Sequence, residues 1–377
     1  MAVLGIVAAV LATRDDGGDG GGGGGGRGNG WADARSNPQR MATDGEIVCA
    51  SGLTVDFYCL DAATGDDLWE VDFDESPSSS PTIVDDMVLI GGHGLKAYTL
   101  DGEEVWSHAM KVSNHELPPL HLPVVGDVVA AIDEAPIEHV LVGVDVATGE
   151  ERWERFRRPG EGEPEISSFS DVLSDGERFY VTTETRPEYE PGEPAPMGPT
   201  LTLVAIDPED GEDVWQYEIA TDSLGFPVAT EVALLPDAGA AAFIVQSGGS
   251  SGRVVVLDTA TGEERWEADL QEPDSSVVHV DGVTVVADGT ALRGYDDDGA
   301  ELWSSSIPDD LGLGQGSLAV REGRVFVSAY DVYEVDPATG EVTEIRAGVS
   351  ADDVQIAGDL LLIAGISGIE AVPLPPR

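Results

Sequence analysis

Two ten-residue segments of this chain are almost identical: VDVATGEERW at residues 144–153 and LDTATGEERW at residues 257–266. Looser copies follow the pattern Asp-x-x-(Thr/Asp)-Gly, and two shorter variants keep only the final Asp-Gly. A tryptophan stands four residues after the glycine in six of these seven segments. Self-similarity of this kind indicates a repeat architecture, so it decides the fold before local propensities do.

The repeated segment combines residues that suit a tight turn between two strands. Glycine tolerates the positive φ of a chain reversal, and an aspartate can accept hydrogen bonds from the N–H groups of its own turn. The first and last residues of the segments are Asp61 and Gly65, Asp101 and Gly102, Asp145 and Gly149, Asp207 and Gly211, Asp258 and Gly262, Asp298 and Gly299, and Asp336 and Gly340. The tryptophans are Trp69, Trp106, Trp153, Trp215, Trp266 and Trp303, and the seventh segment has Glu344 instead. We expect each ring at a fixed place on the following strand, packed against a neighbouring sheet.

Alternating apolar residues lead into and out of each turn, which is the period-two pattern of β-strands. Two more short strands precede each turn; in one repeat they fall at 79–84 and 86–92, before strands at 95–100 and 104–110. The chain is therefore predicted to be all-β, with units of four antiparallel strands that we label A to D in chain order. Units of about 40 residues with this content are typical of a β-propeller, in which radial repetition leaves few exposed strand edges.

The two ends of the chain decide the predicted number of blades. Residues 353–375 supply strands A, B and C of a last unit without a strand D. Trp31 lies 38 residues before Trp69, and the shortest spacing between the later tryptophans, from Trp69 to Trp106, is 37 residues. We therefore predict eight blades, in which the N-terminal segment at Trp31 closes the ring as strand D of the eighth. A seven-bladed ring with loose ends is the alternative.

The N-terminal 30 residues differ in composition from the rest. Residues 1–12 contain the apolar run AVLGIVAAVLA, shorter than the roughly 20 residues that span a bilayer, and it resembles the core of an export signal or anchor. Residues 13–30 form a Gly- and Asp-rich linker, and residues 31–377 form the predicted propeller domain. This order predicts an exported, extracytoplasmic or cell-surface protein that is membrane-associated through its N-terminus. A buried N-terminal strand is the alternative.

The chain carries 72 acidic and 19 basic residues, a formal net charge of −53, although 41% of its residues are hydrophobic. Apolar strands at regular intervals argue against disorder. Such a surface repels itself in dilute buffer, whereas in molar salt the Debye length falls to about 3 Å and screens the repulsion. We interpret the composition as halophilic; a polycationic partner or a bound cation is the alternative. Nucleic acid is excluded as a partner, because the sequence has no basic stripe for phosphates.

The two cysteines, Cys49 and Cys59, fall in two neighbouring predicted strands of the first repeat. A disulfide across these strands is geometrically feasible and would suit an oxidising compartment. Two buried free thiols are an equal alternative.

The segments LDAATGDDLW, VDVATGEERW and LDTATGEERW resemble the repeats of the PQQ-like propeller superfamily, which includes quinoprotein alcohol dehydrogenases and the assembly lipoprotein BamB. The resemblance covers about residues 31–375 and implies an eight-bladed fold in which tryptophans dock between blades. The matching residues are structural, so the resemblance says little about activity.

The quinoprotein branch implies pyrroloquinoline quinone (PQQ) and Ca²⁺ at the ring axis, a much longer chain and often a vicinal cysteine pair. Here the chain has 377 residues and its cysteines lie ten positions apart. We therefore assign no catalytic residue and no metal ligand, and expect no cofactor. The predicted function is a non-enzymatic, monomeric scaffold that binds an envelope or surface protein, similar to BamB in architecture. A PQQ-dependent dehydrogenase is the alternative.

The connections of an antiparallel blade fall on two faces, A–B and C–D turns on one and B–C and D–A connections on the other. The long connections, 110–121, 133–139, 157–168 and 186–199, all belong to the second face. Loops on a rigid scaffold commonly carry recognition. We predict that this face binds the partner. The alternative is that the length of these exposed loops has drifted without a functional role. The candidate contact residues are His115, His121, Arg157, Arg158, Tyr189 and Met197.

Overall fold

The structure is a computed structural model in which β-strands provide almost all of the regular structure. It describes residues 38–52, 56–62, 64–72, 79–92, 94–110, 122–135, 138–155, 165–186, 200–219, 228–247, 251–271, 276–288, 291–306, 318–328, 331–346, 351–357, 360–365 and 368–373. These residues form 31 strands in eight sheets, with one 3-10 turn at Pro236–Ala238.

The first four sheets have four strands each. Sheet 1 contains β1 (Pro38–Thr43), β2 (Ile47–Gly52), β3 (Asp56–Asp61) and β4 (Asp67–Asp72). Sheet 2 contains β5 (Thr82–Val84), β6 (Met87–Gly91), β7 (Gly94–Thr99) and β8 (Glu104–Ala109). Sheet 3 contains β9 (Val124–Val125), β10 (Val128–Ala135), β11 (Glu138–Asp145) and β12 (Glu151–Arg155). Sheet 4 contains β13 (Glu165–Ser174), β14 (Phe179–Arg186), β15 (Thr200–Ile206) and β16 (Asp213–Ile219).

The next three sheets repeat this arrangement, and the last described sheet has three strands. Sheet 5 contains β17 (Val228–Leu235), β18 (Ala240–Ser247), β19 (Ser251–Asp258) and β20 (Glu264–Leu270). Sheet 6 contains β21 (Val277–Val280), β22 (Val283–Asp288), β23 (Ala291–Tyr295) and β24 (Glu301–Ser306). Sheet 7 contains β25 (Leu318–Arg321), β26 (Arg324–Ser328), β27 (Val332–Val335) and β28 (Val342–Arg346). Sheet 8 contains β29 (Ala351–Ala357), β30 (Leu360–Gly365) and β31 (Gly368–Pro373).

Within every sheet the strands follow chain order, and each pairs antiparallel with the next. Short connections suffice for such a meander, because consecutive strands run in opposite directions. The prediction of an all-β chain built from four-stranded antiparallel sheets is confirmed. The closing strand that we predict around Trp31 lies outside the described residues and stays a prediction.

Neighbouring sheets pack through clusters of buried apolar side chains. One cluster joins sheets 2 and 3 and includes Leu89 and Val142; another joins sheets 4 and 5 and includes Leu203 and Phe243. Further clusters join sheets 1 and 2, 3 and 4, 5 and 6, and 6 and 7. The A strands of successive sheets lie side by side, as in β17, β21 and β25. The core is therefore a series of inter-sheet layers rather than one central core.

The structure corrects one predicted loop and reveals a second series of tight turns. Residues 133–139 were predicted as a long B–C loop, but Asp133 pairs with Val140 and Ala135 with Glu138, so β10 and β11 continue almost to Pro136. Strand pairing through Ala135 and Glu138 leaves two residues of the chain between the strands instead of the seven predicted. The A–B connections are also tight, with positive φ at Asp281 and at Gly126.

Candidate functional site

The A–B and C–D turns lie on the same face of the sheets, which we call the turn face. In the C–D turn of sheet 3, Asp145 Oδ1 accepts hydrogen bonds from the N–H and the hydroxyl of Thr148, each at 2.9 Å. Gly149 N–H donates to Asp145 O at 2.8 Å. The aspartate thus satisfies the polar groups of its own turn. The same aspartate–threonine contacts occur at Asp61 with Thr64 and at Asp258 with Thr261.

The turn of sheet 4 explains why either threonine or aspartate can stand directly before the turn glycine. In sheet 3, Thr148 Oγ1 accepts a hydrogen bond from Glu150 N–H at 3.3 Å. In sheet 4, Asp210 Oδ1 accepts the equivalent bond from Glu212 N–H at 2.9 Å. Either side chain offers a short-range acceptor to the N–H two residues ahead, so either can occupy the position.

Each described tryptophan ring lies against the glycine of the next sheet's C–D turn. Gly149 has φ +73°, and a Cβ atom added to it would stand 2.7 Å from the ring of Trp106. Glycine is therefore required twice, by the positive φ and by the space that the ring occupies. The pairs are Trp69 with Gly102, Trp106 with Gly149, Trp153 with Gly211, Trp215 with Gly262, Trp266 with Gly299, and Trp303 with Gly340.

In five of the six described tryptophans, the indole N–H donates to a backbone carbonyl oxygen of the receiving turn. Trp106 Nε1 lies 2.7 Å from Val146 O, and Trp153 Nε1 lies 2.9 Å from Pro208 O. Trp69, Trp215 and Trp303 donate in the same way to Leu100, Thr259 and Pro337. The ring buries apolar area while its one polar group is satisfied, so it docks one sheet onto the next.

A second tie between sheets, which the sequence did not reveal, starts two residues after the tryptophan. Arg155 donates to Gly211 O and, at 2.6 Å, to Asp213 Oδ1 of sheet 4. The position holds a different residue type in each sheet, so no repeated letter signals it. Equivalent contacts are His108 Nδ1 with Gly149 O, Tyr217 Oη with Glu264 Oε2, and Ser305 Oγ with Gly340 O.

The two nearly identical segments share an arginine directly before the tryptophan. Arg152 donates through Nε to Asp145 Oδ2 at 3.1 Å, and its terminal nitrogen contacts both Asp145 and Asp127 of the A–B turn. Arg265 donates to Asp258 Oδ2 at 2.8 Å and to two carbonyl oxygens of the A–B turn of sheet 5. The repeated arginine therefore ties the two turns of one sheet together.

These arginines also change the acidity of the turn aspartates. The hydrogen bond from Arg152 is the main cause that lowers the pKa of Asp145, and the contacts with Thr148 add to it. The hydrogen bond from Arg265 is the main cause that lowers the pKa of Asp258. A hydrogen bond to the charged form favours that form, so both turns are held together by ionised carboxylates at neutral pH.

Sheet 7, which lacks the tryptophan, carries an ion pair beside the tryptophan position. Glu334 stands two residues before the turn aspartate of sheet 7. The equivalent residue of sheet 3 is Gly143, which faces Trp153. Arg324 Nε donates to Glu334 Oε1 at 2.6 Å, and the guanidinium group lies 5.0 Å above the Phe326 ring. The paired side chains are 13% and 27% exposed, so the contact is largely shielded from water.

The two cysteines form a disulfide in sheet 1. Cys49 and Cys59 face each other across β2 and β3, with their Cα atoms 4.0 Å apart, and both are fully buried. Cys59 also faces Trp69 across β3 and β4, and the Phe57 ring meets the Trp69 ring edge-on at 5.3 Å. The bridge is therefore part of the core beneath the docking tryptophan of this sheet.

The predicted partner-binding residues all lie outside the described residues, so their role stays a prediction. They are His115, His121, Arg157, Arg158, Tyr189 and Met197. The segments 1–12 and 13–30 also lie outside the described residues.

Within the described part, no group of three or more His, Cys, Asp or Glu side chains is placed to hold a metal ion. The described residues also contain no helix with the length and apolarity of a membrane span.

Several solved structures share this fold. BamB from Moraxella catarrhalis is 14% identical, with a TM-score of 0.59 over 88% of this chain and 95% of that chain. The quinohemoprotein alcohol dehydrogenase from Comamonas testosteroni is 13% identical, with a TM-score of 0.59 over 90% and 75%. Sqt1 from Saccharomyces cerevisiae is 12% identical, with a TM-score of 0.63 over 99% and 100%. Such low identities show the fold alone, and the fold is a β-propeller.

The family comparison goes further than the solved structures. No curated protein matches the sequence. A family model described as outer membrane protein assembly factor BamB matches residues 25–184, 138–233 and 200–360. These overlapping matches include all seven repeated turns, so the resemblance predicted from the turn segments is confirmed. The chain belongs to the PQQ-like β-propeller repeat family that this model represents.

Proposed function

We propose that the chain is a non-enzymatic scaffold that binds a protein partner in the cell envelope. One observation carries the proposal: the polar side chains of the repeat are engaged in building the fold. Asp145 caps its turn, Arg152 ties two turns together, and Trp106 bonds to the next sheet. These contacts make a rigid support, on which surface residues can be held in a fixed geometry for recognition.

The proposal includes export and attachment through residues 1–12 and 13–30. The Cys49–Cys59 disulfide supports export, because disulfides persist in oxidising compartments outside the cytoplasm. The description of the matching family, an outer membrane protein assembly factor, supports interaction with an envelope protein. The proposal also includes a halophilic environment, which the net charge of −53 supports.

Crosslinking in intact cells tests this proposal with the full-length chain. The expected result is a crosslink to one envelope protein, identified by affinity purification and mass spectrometry. A variant that lacks residues 187–199 is expected to fold normally and to lose much of the crosslink, since that loop belongs to the predicted partner face. Crosslinks to cytosolic proteins only would contradict the proposed role and location.

The alternative function, a PQQ-dependent dehydrogenase, is favoured by the structural likeness to the quinohemoprotein alcohol dehydrogenase. The described residues fit the cofactor poorly: they bring no three metal-ligating side chains together, and the cysteines bridge two strands instead of forming a vicinal pair. Calorimetric titration of the full chain with PQQ and Ca²⁺ in molar KCl separates the two functions. We expect no binding heat; tight one-to-one binding would overturn the non-enzymatic proposal.

A further inference from the structure

Six D strands carry a β-bulge directly before the tryptophan. In sheet 3, Gly143 faces Trp153 while Val144 faces Glu151, so Arg152 is the extra residue. A bulge interrupts the ladder and changes the direction in which its extra side chain points. The extra residues of the six sheets are Leu68, Val105, Arg152, Val214, Arg265 and Leu302.

Four of these bulge residues are apolar and exposed to solvent. Leu68 and Val105 are each 46% exposed, Val214 is 41% exposed and Leu302 is 51% exposed. In the described part of the chain, Val320 is the other large hydrophobic side chain of this kind, at 36%. Exposed apolar side chains thus concentrate at one repeat position of a chain whose net charge is −53.

The fold itself does not require an apolar residue at this position. Arg152 and Arg265 occupy the same bulge and reach over the turn face to the turn aspartates of their own sheets. A polar side chain is therefore compatible with the bulge and gains hydrogen bonds there. Leucine and valine at this position cannot make these hydrogen bonds. A partner that covers them would remove their apolar surface from water, which favours binding.

Sheets 1 and 2 are the neighbours that both carry an apolar bulge residue, Leu68 and Val105. The docking of the Trp69 ring on Gly102 holds these two sheets together close to both bulges. The two residues before each bulge residue are exposed acids: Asp66 and Asp67 before Leu68, and Glu103 and Glu104 before Val105. Of these, Glu104 also pairs at 3.4 Å with Lys96 of its own sheet. An apolar pair bordered by carboxylates matches a partner surface of apolar residues bordered by lysine or arginine.

We propose that Leu68, Val105 and their four flanking carboxylates form a docking surface for a cationic amphipathic segment of a partner protein. This inference rests on the proposed scaffold function and adds to the long-loop face a second binding surface with its own partner chemistry. The docking surface lies on the turn face, opposite the face with the long loops. The carboxylates select against acidic partners and anionic lipids, because like charges across an interface are costly.

A peptide-binding experiment tests this surface directly. The probe is a fluorescent helical peptide of leucine and lysine with one apolar face, and the control peptide has the same composition with the leucines spread around the helix. In molar KCl, where long-range attraction is screened, the full-length chain should bind the amphipathic peptide about tenfold more tightly than the control.

Matched double variants assign the binding to the proposed residues. Leu68→Gln with Val105→Gln should weaken binding of the amphipathic peptide about tenfold, whereas Val214→Gln with Leu302→Gln should leave it unchanged. All four side chains are at least 41% exposed, so both variants should keep the melting temperature of the original chain. Equal binding of the two peptides, or an equal loss in both double variants, would overturn the docking surface.

Two further outcomes separate this inference from the scaffold function. If Leu68→Gln with Val105→Gln binds the amphipathic peptide as tightly as the original chain does, while deletion of residues 187–199 still removes the crosslink to the envelope protein, the docking surface is wrong and the scaffold function stands. If the original chain instead forms dimers that this variant abolishes, the occupant is a second copy of the chain and the proposed partner chemistry is wrong. Sedimentation velocity measures that second outcome.

Discussion

Gly149 holds φ +73° beneath the ring of Trp106, and the two residues belong to different sheets. The sequence predicted both residues and their structural roles, because a turn glycine and a tryptophan recur at a fixed spacing. It did not assign the glycine to the tryptophan of the preceding repeat, since spacing along one segment carries no information about contacts between segments. The hydrogen bond from Thr148 to Asp145 was predictable, because donor and acceptor belong to the same turn.

Gly149→Ala should lower the free energy of unfolding by about 2–4 kcal/mol, through backbone strain and collision with the Trp106 ring. Gly126→Ala is the matched control in the same sheet, since Gly126 has φ +59° and nothing within 4 Å of an added Cβ atom. The control should lose only the strain, about 1–2 kcal/mol. Urea unfolding in molar KCl measures both losses, and equal losses would refute the docking role of this glycine.

Asp258→Asn should reduce stability at neutral pH and have little effect in strong acid. The hydrogen bond from Arg265 lowers the pKa of Asp258, so the carboxylate stabilises the fold above the unfolded-state pKa of about 3.9. This contribution is lost as the pH falls through the lower folded-state pKa. The difference in unfolding free energy between the original chain and Asp258→Asn should therefore shrink between pH 7 and pH 2. A difference that is constant with pH would rule out this linkage.

At the scale of strands and sheets, the turn segments located the C–D hairpins because both strands flank a recognisable turn. The prediction failed at 133–139, which we expect from the sequence to be a long B–C connection, because β10 and β11 continue in register to Ala135 and Glu138. The contacts that start two residues after each tryptophan were also missed. They involve Arg155, His108 or Ser305. These side chains differ in type and have in common only that each contacts a backbone oxygen of the next sheet, so the sequence shows no repeated residue at this position.

Arg155→Met should lower the free energy of unfolding by about 1–3 kcal/mol, because it removes hydrogen bonds from a charged donor to sheet 4. Arg253→Met is the control, since the partly exposed Arg253 guanidinium pairs with the exposed Glu267 side chain of its own sheet, sheet 5. A surface pair of that kind contributes about 0–1 kcal/mol. Chemical denaturation of both variants gives the comparison; losses of the same size would show that Arg155 does not tie two sheets.

At the scale of the whole molecule, repeat counting and composition predicted the all-β propeller and its acidic surface. The exposure of Leu68 and Val105 was not predictable, because it depends on a bulge that shifts the register by one residue. The candidate partner residues of the long-loop face rest on loop length alone. The structure thus adds a second surface to compare with that face, on the side of the tight turns.

The melting temperature of the full chain should rise steeply with KCl. A net charge of −53 opposes compaction, and the Debye length shrinks from about 10 Å at 0.1 M to about 3 Å at 1 M. Most of the rise should therefore occur below about 1 M KCl, where screening changes most. Sucrose at matched osmolality is the control, since it acts by exclusion from the surface without screening. A flat response to KCl would contradict the halophilic interpretation.

The central claim is that each sheet docks by a tryptophan on the glycine turn of the next, and that Trp31 closes the ring. The six described tryptophans dock on the turns of sheets 2 to 7, so the series assigns Trp31 to Gly65 of sheet 1. A double-mutant cycle of Trp31→Ala and Gly65→Ala tests this pairing most directly. We expect a coupling energy of about 1–3 kcal/mol, similar to that of a reference cycle at Trp106 and Gly149. Additive losses for Trp31 and Gly65, alongside coupling in the reference cycle, would contradict closure by the N-terminal strand.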